Sequence, residues 1–552
     1  MYNRASLFSP TWTMSSDDET VEPTQAAGHK DPELTDRTHF SNEDEDIVDR
    51  LEQAEGLSSS SPAPVESKQD LEQQAENHDR QKPSFGVWID IFKYVYSSLL
   101  LAFCLVVVMC AIFTKQTKAT DAYNMPPVAA FLVFWLMIMW LAVLEGGQGC
   151  IVGLQSVDTA LYAQSHPRTL QCMEIVQKDD NVERFIIGRQ FLVVLVVFVT
   201  NLMASAIPDA DVVGLHEDVS KVFLDSGAAL ILVAIILGQL TSQISATTCM
   251  IDFINNRVML FTIYAALAIE ASGILHCTYL VQMIFSYFAK TTSDPNHQSS
   301  ERSMFQKTLF WSKVCLSVVL LVFALYTTLL ALFEGQTAMW EGVPGAVSVL
   351  LFFALMGLVG LMEGIQIALF AVLRMSEEEL SSNRSAFSCC KLAFEGRNFE
   401  AFLIGRQIAV TMCMFIIARI STIEVDIDDP DSDNIFSVKD GTQEFLNTGL
   451  LGAIITTIFA SLAWRIIASS FPLAFMSNPL IYGIIWFCLI LEKSGLCSAA
   501  WLLATVQKYI LCYKADEIYL CTLEKMSDVE NPSSMDEVAV HLSKPTTGPV
   551  LG

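Results

Sequence analysis

Two pairs of short motifs hold the side chains best able to do chemistry: Glu145-Gly-Gly-Gln148 with Gly188-Arg189-Gln190, and Glu363-Gly-Ile-Gln366 with Gly405-Arg406-Gln407. All stand in apolar surroundings, where an ionisable group costs roughly 2.5–3.5 kcal/mol on membrane-insertion scales and so needs a partner. Glu145 and Gln148 are three residues apart and share a helix face. A Glu145–Arg189 pair and a Glu363–Arg406 pair would neutralise both charges, although an arginine at a span end can also snorkel to headgroups. Adjacent helical residues point about 100° apart, so Arg189 can meet its glutamate while Gln190 faces elsewhere. We assign the four charged residues to architecture, and Gln148, Gln190, Gln366 and Gln407 to a solute. An amide donates and accepts without charge, which suits a neutral polyhydroxylated molecule. A carboxylate or phosphate would call for arginine forks instead.

A third repeated motif is Glu270-Ala-Ser272-Gly273, matched by Glu492-Lys-Ser494-Gly495. Glu270, Ser272, Glu492 and Ser494 are the candidates for a coupling cation or proton, with carbonyls supplying further oxygens. A buried glutamate that is protonated and bonded to a backbone carbonyl is the competing reading. Asp252, in Cys249-Met250-Ile251-Asp252, is better placed as an interfacial cap than as a ligand. The fourteen cysteines show no ligand spacing, so we expect neither a disulfide framework, nor a metal, nor a cofactor. No His-Glu-x-x-His or Ser/His/Asp set stands in the apolar runs, and an enzyme is not expected.

These side chains must be positioned by membrane helices. Of the residues, 52% are hydrophobic and only 17% charged, against about 25% charged in soluble domains. Segments 1–82, 208–225, 421–445 and 515–552 carry net charges of −12, −4, −7 and −5, against −27 for the whole chain. The apolar body is therefore close to neutral. Such an acidic balance excludes nucleic acid as a partner, since displacing its counterions needs basic patches. Apolar runs read as ten spans: 94–113, one after Pro127, 185–207, 226–248, 258–289, 314–333, one after Pro344, 401–420, 446–464 and 480–506.

The motifs recur in the same order at offsets of 217–222 residues, and Phe113-Thr-Lys-Gln116-Thr117 answers to Phe333-Glu-Gly-Gln336-Thr337. The chain is a duplication. Five spans per copy put the second copy in the membrane upside down, an arrangement that recurs in secondary transporters. The stretch after Pro127 is too long for a straight crossing of a core about 30 Å thick, so a break is expected at Gly146-Gly147, and another at Gly364. Helix packing is the alternative reading of the glycines in these stretches, since Gly149-x-x-x-Gly153 and Gly360-x-x-x-Gly364 are also small-residue contact motifs.

The expected fold is thus all-α and polytopic: ten transmembrane helices as two inverted five-helix repeats, with broken helices at the Glu-Gly-x-Gln motifs. The expected domains are an acidic disordered tail (1–84), repeat one (85–290), a linker (291–305), repeat two (306–512) and a second acidic disordered tail (513–552). The polar amino terminus lacks a signal peptide, and the sequon Asn383-Arg384-Ser385 follows span seven. Both features favour cytoplasmic termini.

With these motifs in register, the chain resembles the silicic acid (silicon) transporters of diatoms and other silicifying or related unicellular eukaryotes, over residues 90–510. A paired Glu-Gly-x-Gln and Gly-Arg-Gln set in each half of a ten-span protein marks that family. The resemblance implies sodium-coupled symport of silicic acid across the plasma membrane, with Gln148, Gln190, Gln366 and Gln407 as substrate contacts and the bilayer as surroundings. The expected mechanism is alternating access by rocking of the two halves around those amides. Two departures stand out: residues 507–552 show no sustained heptads, and Ile251 stands where some members have leucine. A passive channel or facilitator for boric acid or polyols is the alternative reading, although Asn478-Pro479 has no paired Asn-Pro-Ala counterpart.

Overall fold

The computed structural model describes residues 85–516, apart from 122, 156, 208–209, 213, 290–303, 340–341, 373–374, 376–379, 381–382, 397 and 426–434. The tails expected at 1–84 and 513–552, except for 513–516, and the linker, except for 304–305, lie outside the described residues. All packing below lies within the compact unit containing Ile91–Gly552.

The described residues are helical, with two isolated bridges and no strand. Two matching series of eight helices carry the site. The first is α1 (Phe85–Phe113), α2 (Pro127–Leu154), α3 (Pro167–Gln177), α4 (Asn181–Ala204), α5 (Ala228–Ala246), α6 (Met250–Ile254), α7 (Arg257–Ser272) and α8 (Cys277–Ala289). The second is α9 (Met304–Glu334), α10 (Gly345–Val372), α11 (Arg384–Phe394), α12 (Asn398–Ser421), α13 (Leu450–Ser470), α14 (Pro472–Met476), α15 (Pro479–Lys493) and α16 (Ala499–Ile510). Each helix of one series has its counterpart eight places on.

Among the described residues, eight helices are long and apolar enough to cross a membrane: α1, α2, α4, α5, α9, α10, α12 and α13. The fifth and tenth expected spans are each two shorter helices, α7 with α8 and α15 with α16. The breaks therefore fall at Glu-x-Ser-Gly, where Gly273 and Gly495 adopt left-handed φ of 90° and 73°. A residue with a side chain rarely adopts that conformation, and glycine ends helices in this way.

The expectation of a break at Glu-Gly-x-Gln is corrected. Helix α2 runs unbroken for 28 residues through Glu145-Gly-Gly-Gln148, and α10 for 28 through Glu363-Gly-Ile-Gln366. Glycine serves there as a socket. A Cβ on Gly146 would collide with the ring of Phe253 from α6, and one on Gly364 with the ring of Phe475 from α14. A helix of 28 residues is about 42 Å long; tilt and protrusion absorb the excess over the hydrocarbon core.

Burial separates an inner layer from an outer one. The apolar windows of α4 and α12 are 67% and 72% buried, and those of α5 and α13 83% and 61%, against 28–39% for α1, α2, α9 and α10. The outer helices turn Val106, Leu132, Met139, Val319, Val322 and Leu350 outward, as lipid-facing helices do. At the centre, α4 packs on α12 and α13, and α12 on α5.

The halves also exchange contacts at their breaks. Ser97 Oγ on α1 donates to Leu496 O at 2.7 Å and accepts from Ala499 N at 3.0 Å. Ser317 Oγ on α9 donates to Ile274 O at 2.5 Å and accepts from Cys277 N at 3.1 Å. The first helix of each half thus satisfies backbone groups freed by the other half's break, which in lipid would otherwise cost free energy.

One contact belongs to the first half alone. Residues 513–516 do not hang free: Asp516 accepts from Met250 N and Ile251 N at 2.7 and 3.0 Å. Asp252 accepts from Lys514 N at 2.7 Å and lies 2.8 Å from His166 Nε2. In the second half Pro472 stands where Met250 does, so the N–H that Asp516 uses is missing.

Candidate functional site

Close helix approach comes first. A Cβ on Gly188 would overlap Ala266 O of α7, and one on Gly405 would overlap Cys488 O of α15. The glycine of each Gly-Arg-Gln motif thus lets the third helix of a half press backbone to backbone against α7 or α15. That approach turns the following Arg and Gln toward the middle.

In the first half, Arg189 Nη2 lies 2.7 Å from Glu145 Oε2, with both residues buried. The same carboxylate oxygen accepts from Gln243 Nε2 on α5 at 3.1 Å. Arg189 also donates from Nε to Leu144 O at 3.0 Å and from Nη1 to Gln190 Oε1 at 3.2 Å. In the second half, Arg406 Nη1 donates to Glu363 Oε1 at 3.2 Å and Nη2 to Gln407 Oε1 at 2.8 Å. A second arginine, Arg465 of α13, grips the other oxygen of Glu363, with Nε at 2.9 Å. Charged hydrogen bonds inside a dry bundle are strong, and losing one partner is costly.

The geometric argument that Gln190 faces away from Arg189 is corrected. Gln190 and Gln407 each accept a bond from the arginine before them, so their carbonyl oxygens belong to the charged network. The flexible arginine side chain reaches back across the helix face. Gln148 and Gln366 are half-buried and make no side-chain hydrogen bond among the described residues.

The second network reaches into the first half: Gln407 Nε2 donates to Gln239 Oε1 of α5 at 3.1 Å, and Thr411 Oγ, whose one proton is also within reach of Gln407 O at 2.8 Å, contacts the same oxygen. Gln239 lies in a π-helical segment, Ala234–Leu240, and the matching segment Thr456–Leu462 carries Ser461. Such widened turns aim side chains that a regular helix would hold elsewhere, and they gather at functional sites. Farther along α4 and α12, Asn201, Ser205, Ser226, Gly227, Ile231, Phe415, Ile416 and Arg419 line a small cavity.

The sequence reading missed Gln239, Gln243, Thr411, Ser461 and Arg465. For all but Thr411, whose counterpart Val194 is apolar, the signal is polar side chains at matched positions, residues 239 and 461 and residues 243 and 465, although the residue types differ between copies.

The ion candidates are placed apart from this centre. Glu270 Oε2 accepts from Arg184 Nε at 2.7 Å, and its other oxygen lies 3.3 Å from Tyr279 OH and 3.9 Å from His276 Nε2. Glu492, its counterpart, is half-buried and has no such partner among the described residues. Ser272 and Ser494 cap the breaks: each donates to the carbonyl three residues back, Ile269 O and Leu491 O, at 2.6 Å. No group of three His, Cys, Asp or Glu could hold a metal among the described residues.

Buried ion pairs and amides, contributed by two matching halves at the core of a polytopic helical bundle, define a membrane protein with an intramembrane polar site. The chain belongs to the silicon transporter family, whose sequence profile matches residues 86–545. No curated protein and no solved structure matches it.

Proposed function

We propose that this protein is a sodium-coupled symporter of silicic acid in the plasma membrane, working by alternating access between two inverted five-span halves with both termini in the cytoplasm. The observation that carries this reading is the pair of central networks, in which amides from both halves are held by buried Glu–Arg pairs. Silicic acid is a neutral tetrahedral tetrol, and uncharged donors and acceptors on Gln148, Gln190, Gln366 and Gln407 match its hydroxyls. The arginine heads are engaged with Glu145 and Glu363, so they set amide position.

A neutral solute is not concentrated by membrane potential, so uphill uptake requires a coupled ion. Sodium is that ion in this reading, and Glu492 is its best-placed acid. Glu270 already has Arg184 as its cation, and the hydroxyls of Ser272 and Ser494 donate to local turns while keeping oxygen lone pairs that can face a cation. Matching exchange contacts at Ser97 and Ser317 support two halves able to rock as paired bodies.

Radiolabelled germanic acid uptake into proteoliposomes, with and without an inward sodium gradient, tests the proposal. Accumulation above equilibrium only with the gradient is expected. Equilibration indifferent to sodium would leave a facilitator, and no uptake would remove the reading.

A further inference from the structure

The duplication offers two equivalent places for a solute hydroxyl, and the structure treats them differently. On the second-half side, Gln407 Nε2 donates to Gln239 Oε1, and Thr411 Oγ, whose one proton is also within reach of Gln407 O at 2.8 Å, contacts the same oxygen. That oxygen takes the bonds a silanol oxygen would take. On the first-half side, the position of Gln239 is filled by Ser461, whose side chain is three heavy atoms shorter. Helix α4, which carries Gln190, packs on the π segment that carries Ser461, as α12 packs on the π segment that carries Gln239. Ser461 is fully buried, yet its hydroxyl has no hydrogen-bond partner among the described residues. A buried hydroxyl left without a partner is rare in folded proteins and marks a place where a polar ligand or water belongs. Residue 194, the counterpart of Thr411, is valine, so the first-half side lacks the extra donor that fastens Gln239.

Resting on the transport reading but narrowing its solute contacts by removing Gln407, we propose that the protein binds one silicic acid at a time, between Gln190 and Ser461, while Gln239 fills the twin subsite at Gln407 as a built-in substitute for the solute. Gln239 and Ser461 are then the residues that decide which half takes substrate. Neither lies in the repeated motifs.

Equilibrium binding of radiolabelled germanic acid to the purified full-length protein tests this. The wild type is expected to bind one molecule per chain. Ser461→Gln, which puts a Gln239-like plug in the first subsite, is expected to weaken binding at least tenfold. Ser461→Ala, a smaller change that preserves folding, is expected to weaken it severalfold at unchanged stoichiometry. Gln239→Ser is expected to raise the stoichiometry to two, and the exchange Gln239→Ser/Ser461→Gln to restore one tight site. Stoichiometry that stays at one in Gln239→Ser, or affinity unchanged in both Ser461 variants, overturns the inference and leaves the transport reading standing. A wild type that binds no germanic acid removes both.

Discussion

The two halves hold their buried glutamates by different means. Glu145 has one arginine and the amide of Gln243; Glu363 has two arginines, because Arg465 occupies the position of Gln243. Positions under the same steric constraint in both copies, such as Gly188 and Gly405, have kept the same residue. Ser97 and Ser317, which reach across to the other half's break, have also stayed the same, whereas Gln239 against Ser461 and Gln243 against Arg465 have diverged. The lesson is that duplication preserves the frame, and asymmetry enters at a few polar positions within α5 and α13.

The largest effect should separate the two glutamates. Arg189→Leu strips Glu145 of its only arginine, and an uncompensated buried charge costs about 3–5 kcal/mol. Arg406→Leu leaves Arg465 on Glu363 and should cost clearly less. Thermal unfolding of the detergent-purified variants measures this, and equal losses would erase the distinction between halves.

Gly188→Ala and Gly405→Ala should hurt alike, since each new methyl meets a backbone carbonyl that cannot swing away. Overpacking of this kind costs about 3 kcal/mol, and surface expression should fall for both. A tolerated variant in either half would show that its helices can separate without loss.

Arg465→Gln makes the second half chemically like the first. Glu363 keeps Arg406 and gains an amide in place of the two bonds from Arg465, so the loss should be about 1.5–3 kcal/mol, the range for a charged hydrogen bond. Stability and germanic acid uptake together report it; collapse of the protein would mean that Arg465, rather than Arg406, is the partner Glu363 depends on.

Smallest and most symmetrical are Ser97→Ala and Ser317→Ala, each expected to cost about 1–2 kcal/mol for its two hydrogen bonds. Unequal melting shifts would show that one break is held by something other than its serine.

Much of this frame is legible in the sequence. Constant offsets between motifs reveal the duplication, and long uncharged runs reveal helices that cross lipid. The cost of a lone charge in hydrocarbon singled out Glu145, Arg189, Glu363 and Arg406 as residues needing partners. Gln243 and Arg465 escaped because a reading keyed to identical motifs passes over positions where the copies differ, and because the ninth run was read as ending at 464, one residue short. The break was misplaced for a related reason. A glycine pair inside an overlong apolar run looks like a kink, and nothing local says that Phe253 and Phe475 fill the grooves.

Sequence alone determined that this is a duplicated, membrane-embedded chain with a short inventory of intramembrane polar groups, because transfer free energies and repeat spacing are properties of the chain read along its length. Tertiary structure decided which helix breaks, which carboxylate takes a second arginine, and which copy's amide reaches across to the other. Those outcomes depend on which helix faces meet. The meeting is set by backbone contact at Gly188 and Gly405 and by the widened turns carrying Gln239 and Ser461, none of which leaves a trace in hydropathy.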